Sequence, residues 1–344
     1  MTSAVARTFC VFLAVLSGVS CTRTAGDDPP PAAIAAVPTA EPPEEQQAPV
    51  GFDLRNVRMH AAPDVILAVD YLQGTLVPTT RPLPIFDDLK SFYITVESAK
   101  LSIDARSMNA LVKRVFDYEG SPLSDLEIAI EEGRVEQKGK LRKGISVPFS
   151  VAASVTSDQG RIRLHPEKVK VIGIPAGDVM KVFGLELDDL LKLRAGAGVA
   201  VRGNDLFLEP SQLMRSPEIR GKVSAAQISG DRLLLTLGEP SPARREVVVP
   251  DSDAKNYIWF HGGRIRFGRL TMSDADLQLI DGDPGDAFDF VPLKYRDQLI
   301  AGFSRNTGNG ALRTTMPDFA DIPNLPGGRL FPAPVRTRLD TRRR

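Results

Sequence analysis

Residues 147–155 read VPFSVAASV, and this stretch decides the fold class of the chain. From Val147 to Val155 every second residue is apolar, and the residues between them are small or polar. Because successive side chains of a β-strand point to opposite faces, a period of two places the apolar side chains on one face. The stretch therefore predicts a strand of an antiparallel sheet that has one packed face and one face in water.

The same alternation recurs along most of the chain. It recurs at 92–96 and at 233–237, where Phe92, Ile94 and Val96, and then Leu233, Leu235 and Leu237, occupy every second position. Turn signals that contain Gly separate the predicted strands, at positions 133, 144, 160, 203 and 230. Further strands are predicted at 126–130, 162–164, 169–172, 199–201, 206–208 and 223–228.

Two amphipathic helices interrupt the strands. In the first, apolar residues from Met108 to Phe116 recur with helical spacing, and Ser107 is available as the N-terminal cap. The second follows Pro175 and includes Val179, Met180 and Phe183. This order of elements predicts an α+β, mainly β fold, in which a long curved antiparallel sheet is wrapped around one or two amphipathic helices, with a β-rich C-terminal extension.

Composition divides the chain into five segments. The first is apolar and short, the second is rich in proline, and the last is rich in arginine, whereas the middle carries the alternating pattern. We predict a signal peptide at 1–20, a disordered Pro-rich tether at 21–50, the main domain at 51–239, the β-rich C-terminal extension at 247–320 and a disordered basic tail at 321–344.

The amino terminus has the three parts of an export signal. A start with Arg7 precedes an apolar stretch at 9–16, and small residues lead to Cys21. The apolar part is well below the roughly 20 residues needed to span a bilayer. Cys21 after Gly-Val-Ser resembles a bacterial lipobox, which predicts lipid attachment at Cys21 and a protein exported to the periplasmic face of a bacterial membrane. Cleavage after Ser20 by ordinary signal peptidase, which releases a soluble protein, is the second interpretation.

Charge and residue counts narrow the chemistry of the folded body. The chain has 43 basic and 43 acidic residues, so a strongly basic surface for nucleic acid is not expected. Its two cysteines, Cys10 and Cys21, lie upstream of the body, which excludes a disulfide framework, a cysteine zinc site and a cysteine nucleophile there. There is no nucleophile elbow and no P-loop. We expect a protein that is not an enzyme, has no cofactor and has surface or packed histidines.

One acidic stretch has a composition that suits a metal. Asp281, Asp283 and Asp286 offer carboxylate oxygens within six residues, and calcium prefers oxygen ligands. Their spacing does not match a helix-loop-helix calcium loop, and the terminal bidentate glutamate is missing. These three residues are the calcium candidate, and an ordinary solvated turn is the alternative because Asp-Gly and Pro-Gly are turn formers.

Several features of residues 92–237 occur together in one known family. They are a strand at 94–104, the helix at 107–116, Gly133, Val135 and Gly139 after 126–130, Val147-Pro148, the Gly160 hairpin, a strand that ends at Ile174-Pro175, the helix at 179–183 and the hairpin at 203–206. In this pattern the chain resembles the LmeA-like phospholipid-binding family of the tubular lipid-binding superfamily, which includes the bactericidal permeability-increasing protein. The resemblance implies a long sheet curled around a helix and an apolar tunnel for acyl chains.

These observations predict a lipid-anchored envelope protein that binds a phospholipid or similar amphiphile, with lipid transfer as its role and contact with the membrane through its lipidated amino terminus. The alternative is a non-enzymatic envelope scaffold that docks a protein partner through its aromatic C-terminal part. A void beneath the first helix favours lipid, and a filled interior with an exposed apolar patch near Trp259 favours docking. The predicted tunnel residues are Phe92, Ile94, Leu111, Val115, Phe116, Phe149, Val151, Val179, Met180 and Phe183.

Overall fold

The computed structural model describes residues 49–116, 121, 123–143, 145–171, 198–213, 216–238, 251, 253–307 and 310–330. The predicted signal peptide, the predicted lipid attachment site Cys21, almost all of the predicted tether and the second predicted helix lie outside the described residues. Residues 319–328, which overlap the start of the predicted basic tail, form two short 3-10 helices.

The described residues are mainly β, as the alternation predicts. The helices are α1 (Ala105–Phe116), α2 (Pro210–Leu213) and α3 (Tyr295–Ala301). The strands are β1 (Val50–Ala62), β2 (Val65–Pro78), β3 (Phe92–Asp104), β4 (Leu123–Glu131), β5 (Arg134–Lys143), β6 (Ile145–Asp158), β7 (Arg161–Val171), β8 (Val199–Arg202), β9 (Asp205–Leu208), β10 (Glu218–Arg220), β11 (Val223–Ser229), β12 (Arg232–Gly238), β13 (Tyr257–Phe267), β14 (Leu270–Asp281), β15 (Phe288–Phe290), β16 (Phe303–Asn306) and β17 (Leu312–Met316).

The larger of two sheets, called here the main sheet, has eleven strands. Nine of them follow the order β11-β12-β3-β2-β1-β13-β14-β17-β16, while β10 pairs with β3 and β15 pairs with β1. The sheet is mixed, not purely antiparallel as the sequence predicts, because β10, β15 and β17 each run parallel to the strand they join. These three strands are five residues long or shorter, and alternation alone carries no information on their direction.

The main sheet joins the two segments that the sequence separates into main domain and C-terminal extension. Strand β1 pairs antiparallel with β13, so that Asp53 lies opposite Trp259 and Phe52 lies opposite Phe260. The extension therefore continues the sheet of the main domain, and the described residues of both segments belong to one compact unit.

The smaller sheet, called here the second sheet, has six strands in the order β4-β5-β6-β7-β9-β8. Two of its hairpin turns are those predicted at Gly133 and Gly160. The residues of each turn have positive φ, with values of 50° and 73° at Glu132-Gly133 and 50° and 81° at Gln159-Gly160. Two consecutive positive φ values are typical of the type I′ turn, whose twist matches that of the paired strands.

The apolar residues from Ile258 to Leu279, with Gly262-Gly263 as a turn signal, predict three short strands, and this prediction is wrong. Both glycines lie inside β13, where their φ values are 65° and 59°, and the chain turns later, at the positive φ of Gly268. Opposite them in β14, Asp274 also has a positive φ of 57°. The glycines therefore mark an irregularity within a long hairpin, and β13 and β14 replace the three shorter strands that the pattern predicts.

Helix α1 begins two residues earlier than predicted, and its cap is a different residue. The Asp104 carboxylate accepts a hydrogen bond of 2.8 Å from the Ser107 amide, which is the N-cap geometry of a helix that starts at Ala105. The Ser107 side chain has another partner, because its hydroxyl oxygen accepts a hydrogen bond of 3.1 Å from the amide of Ile66 in β2. Ser107 therefore joins α1 to the main sheet.

Asn109 joins the same helix to the second sheet. Its Nδ2 donates a hydrogen bond of 2.6 Å to the carbonyl oxygen of Ile128 in β4, and its Oδ1 accepts one of 2.6 Å from the Ile128 amide. A single carboxamide thus satisfies both backbone groups of one β4 residue. Through Ser107 and Asn109, α1 is bound to both sheets at once.

We predict that Asn109→Ala lowers the free energy of unfolding by about 1–3 kcal/mol, because it leaves the amide and carbonyl of Ile128 without their side-chain partner. Urea unfolding of the full chain measures this change, with Lys113→Ala, an exposed position of the same helix, as control. Equal midpoints for Asn109→Ala and Lys113→Ala would show that Asn109 does not hold the helix.

Candidate functional site

An apolar cavity of about 230 Å³ lies between α1, the main sheet and the second sheet. An engineered protein cavity of about 150 Å³ is large enough to bind benzene, and drug-sized ligands occupy pockets of about 300 Å³ or more. The volume between the sheets therefore suits a slender apolar group, not a bulky ring system.

Helix α1 supplies one wall of the cavity. Met108, Leu111, Val112 and Phe116 face it, at the spacing i, i+3, i+4 and i+8 that places side chains on one helix face. The Ser107 and Asn109 hydrogen bonds fix the rotation of the helix, so this face stays turned inward.

The main sheet supplies the opposite wall through matched rows of apolar residues on neighbouring strands. Leu233 in β12 lies opposite Ile103 in β3, and Leu235 lies opposite Leu101. Leu67 of β2 lies on the other side of Ile103. Each of these five side chains is buried and lines the cavity. The alternation of β3 and β12 thus produces a continuous apolar surface that no single strand shows.

The second sheet closes the cavity with residues from every one of its strands. In β4, β5 and β6 the residues Ile128, Gln137 and Val151 form one row, since Gln137 is the register partner of both others. The remaining lining residues of this sheet are Leu123, Val135, Phe149, Ala153, Ile162, Leu164, Pro166, Val199, Leu206 and Leu208.

Four of the ten predicted tunnel residues line this cavity: Leu111, Phe116, Phe149 and Val151. Phe92 and Ile94 are buried, but they belong to the solid part of the core and are not among the described residues around the cavity. The side chain of Val115 is outside the described set, as are Val179, Met180 and Phe183.

The other end of the core is filled by aromatic rings. Phe86 is at the centre, with its ring centroid 5.4 Å from Phe260, 4.9 Å from Phe267, 5.1 Å from Tyr295 and 6.4 Å from Phe92. The edge-to-face contacts to Phe260 and Tyr295 are the arrangement that aromatic pairs favour. This packing explains why Phe92 points into solid core.

Most aromatic residues of the C-terminal extension are therefore inside the protein. Tyr257, Phe288 and Phe290 are buried as well. Trp259 is half-buried: its ring stacks on His261 at 4.2 Å, and its Nε1 donates a hydrogen bond of 2.9 Å to Asp276. The exposed large apolar residues in the described part of the chain are the aliphatic Leu270, Leu293 and Ile300.

Each histidine pairs with an aspartate. His60 lies 2.7 Å from Asp289, His165 lies 2.6 Å from Asp205, and His261 lies 2.6 Å from Asp53. The two partners of each pair are distant in sequence, and none of the six residues lines the cavity described above. They link strands, which fits the packed or surface histidines that the sequence predicts.

The calcium candidate residues form a turn. Asp281 is buried, and its carboxylate accepts hydrogen bonds from the Asn256 side chain and the Asp283 amide, while Asp283 accepts one from the Gly285 amide. Asp286 is exposed. In the described residues no three His, Cys, Asp or Glu side chains converge in a way that suits a metal ion.

Two carboxyl groups near this turn have strongly raised pKa values. Burial raises the pKa of Asp281 to about 6. Burial, together with the neighbouring carboxylates of Asp281, Asp286 and Asp289, raises the pKa of Asp318 to about 7. Asp318 still has a structural partner, because it accepts a hydrogen bond of 2.7 Å from the Asp289 amide.

Sequence reasoning missed most of the main-sheet wall and Gln137. Leu101, Ile103 and Leu235 have the expected alternation, but the pattern does not tell which apolar rows face a void and which face packed side chains. The sequence does single out Gln137 as a polar residue on the inner face of β5. Alternation places an apolar residue at this position, two residues after the buried Val135.

Comparison of the chain with protein-family models, with curated proteins and with solved structures gives no match. Among the helices of the described residues, none has the length and apolar character required to cross a membrane.

We predict that the stability of the protein falls as pH rises from about 4 to about 7. An unfolded aspartate titrates near 3.8, whereas folded Asp318 titrates near 7, so the folded chain holds a proton that the unfolded chain releases in this interval. Each such group contributes up to about 1.4 kcal/mol per pH unit to the slope.

Urea unfolding over a series of pH values measures the slope. Asp318→Asn retains an acceptor for the Asp289 amide but cannot ionise, so its stability should depend less on pH than that of the wild type. Asp321→Asn, at an exposed position nearby, is the control and should keep the wild-type slope. An unchanged slope in Asp318→Asn would contradict the raised pKa of Asp318 as the cause of the pH dependence.

Proposed function

We propose that the protein binds a phospholipid or similar amphiphile by enclosing an acyl chain in the cavity between the two sheets. The observation that carries the proposal is the cavity itself, an apolar volume of about 230 Å³ beneath α1. A void beneath the first helix favours lipid over a docking scaffold.

The energetics favour an occupant. The lining residues other than Gln137 are apolar and the cavity is partly open, so an acyl chain can enter it and leave water. Each methylene removed from water contributes about 0.8 kcal/mol. Affinity then comes from burial and needs no charged side chain inside the cavity.

We further propose that the finer features of the predicted fold belong to this function. In this proposal the sheets curve around α1 as in the LmeA-like family, the export signal and Cys21 hold the protein at the periplasmic face of a membrane, and the role is transfer of lipid without catalysis. The order of β3, α1, the β4–β5 hairpin and the Gly160 hairpin supports the first part, because it follows the order that the resemblance implies.

The scaffold alternative has less support. It requires an aromatic surface in the C-terminal extension, whereas Tyr257, Phe260, Phe288 and Phe290 are buried. On the described surface of the extension, Trp259, Phe303 and Phe319 are half-buried, and the exposed large apolar residues are the aliphatic Leu270, Leu293 and Ile300.

We predict that Ala153→Phe, which places a ring in the cavity, weakens binding of a fluorescent acyl-chain phospholipid at least about tenfold, a change of about 1.4 kcal/mol. Titration of delipidated full-length protein measures the affinity. Thr156→Phe is the matched control, because Thr156 lies on the same strand but is exposed on the opposite face.

The apo-protein gives a second readout. Because the new ring fills a void, delipidated Ala153→Phe should unfold at the same or a higher temperature than delipidated wild type, whereas insertion into a filled core typically costs about 1–3 kcal/mol. The proposal fails if wild-type protein shows no saturable uptake, or if Ala153→Phe binds as tightly as wild type.

A further inference from the structure

The apolar wall of the cavity contains one polar side chain among the described residues that line it, and that residue is Gln137. Its register partners Ile128 and Val151 are buried and apolar, and both also line the cavity. Gln137 therefore places a half-buried polar residue in the middle of an otherwise apolar row.

The carboxamide has no hydrogen-bond partner in the part of the protein that the structure describes. By contrast, Asn109, the other carboxamide close to this wall, makes hydrogen bonds to Ala105 and to both backbone groups of Ile128. Because Gln137 is half-buried, its carboxamide is partly withdrawn from water, and a ligand group that accepts a hydrogen bond from it supplies the missing partner.

The charge of that ligand group follows from the rest of the wall. No Lys, Arg, His, Asp or Glu is found among the described residues that line the cavity. An ionised group would lose its hydration there without gaining an opposite charge. The polar group that reaches Gln137 must therefore be uncharged, and the charged headgroup of an amphiphile must remain outside.

We propose that Gln137 determines ligand specificity by donating a hydrogen bond from Nε2 to the ester carbonyl of an acyl chain. The inference rests on the proposed function, since it requires a chain in the cavity. It narrows the ligand class to neutral acyl esters, such as the ester-linked chains of glycerolipids, and it excludes free fatty acids in their ionised form as the preferred ligand.

Displacement of the fluorescent acyl-chain phospholipid from delipidated full-length protein tests this choice with three probes of equal chain length: methyl laurate, dodecane and ionised laurate. In Gln137→Leu we expect the affinity for methyl laurate to fall about three- to tenfold and that for dodecane to stay the same or rise. Wild-type protein should bind methyl laurate more tightly than laurate.

Val151→Leu is the matched control, because it reshapes the neighbouring position in the same row without changing polarity. It should change the affinities for methyl laurate and dodecane by the same factor. Replacing an unpartnered carboxamide by an apolar group does not remove a stabilising contact, so Gln137→Leu should fold, and Gln137→Met provides the same comparison with an unbranched side chain.

The outcomes separate the two claims. If methyl laurate and dodecane both bind but their affinity ratio is the same in wild type and Gln137→Leu, the role of Gln137 is wrong and the proposed function stands. Tighter binding of laurate than of methyl laurate to wild type also overturns the inference. If the fluorescent phospholipid does not bind to wild type, or if none of the three probes displaces it, the proposed function itself fails.

Discussion

The attachment of α1 to both sheets is the constraint on which the rest of the structure depends. Ser107 accepts a hydrogen bond from β2, and two residues later Asn109 pairs with both backbone groups of Ile128 in β4. The helix thus joins the sheets at one place, and the amide of Val223 in β11 joins them at another by donating a hydrogen bond to the carbonyl oxygen of Gly160. Because both connections are hydrogen bonds to backbone, they limit how closely the apolar side chains of the two sheets can approach.

The interior of the protein consequently differs in packing between the region around Phe86 and the region beneath α1. Around Phe86, large rings meet at centroid distances of 4.9–5.4 Å and fill the space that the sheet encloses. Beneath α1 the walls consist mainly of aliphatic residues of moderate size, such as Leu101, Leu235 and Val151, and they leave a cavity. The main-sheet wall belongs to the same cluster of buried residues as Phe86, whereas Leu123, Phe149 and Val151 belong to a second cluster, so the cavity is lined by residues of both.

Much of the fold could be predicted from the sequence, because its signals are local. Alternation located the strands around 92–96, 147–155 and 233–237, helical spacing located α1, and the turns at Gly133 and Gly160 are present. Predictions failed where the determinant is not local. The parallel pairing of β10, β15 and β17 depends on partners distant in sequence. Ser107 is not the N-cap, because its hydroxyl oxygen accepts a hydrogen bond from the amide of Ile66, 41 residues away in sequence.

The candidate site was less predictable than the fold. The helix face was foreseeable, since Leu111 and Phe116 follow from the amphipathic spacing alone. The sheet walls depend on register, which places Leu233 opposite Ile103 and Gln137 between Ile128 and Val151. Phe92 has the same pattern as Phe149, yet only Phe149 lines the cavity, because the rings around Phe86 occupy the space next to Phe92.

Native mass spectrometry of the full chain, purified without detergent and then incubated with phospholipid vesicles, tests the central claim most directly. The account predicts a population whose mass exceeds that of the chain by one lipid molecule, retained under conditions that strip surface-bound lipid. A spectrum with only the unliganded mass, or with a broad series of weakly held lipids that dissociate together, would contradict an acyl chain enclosed beneath α1.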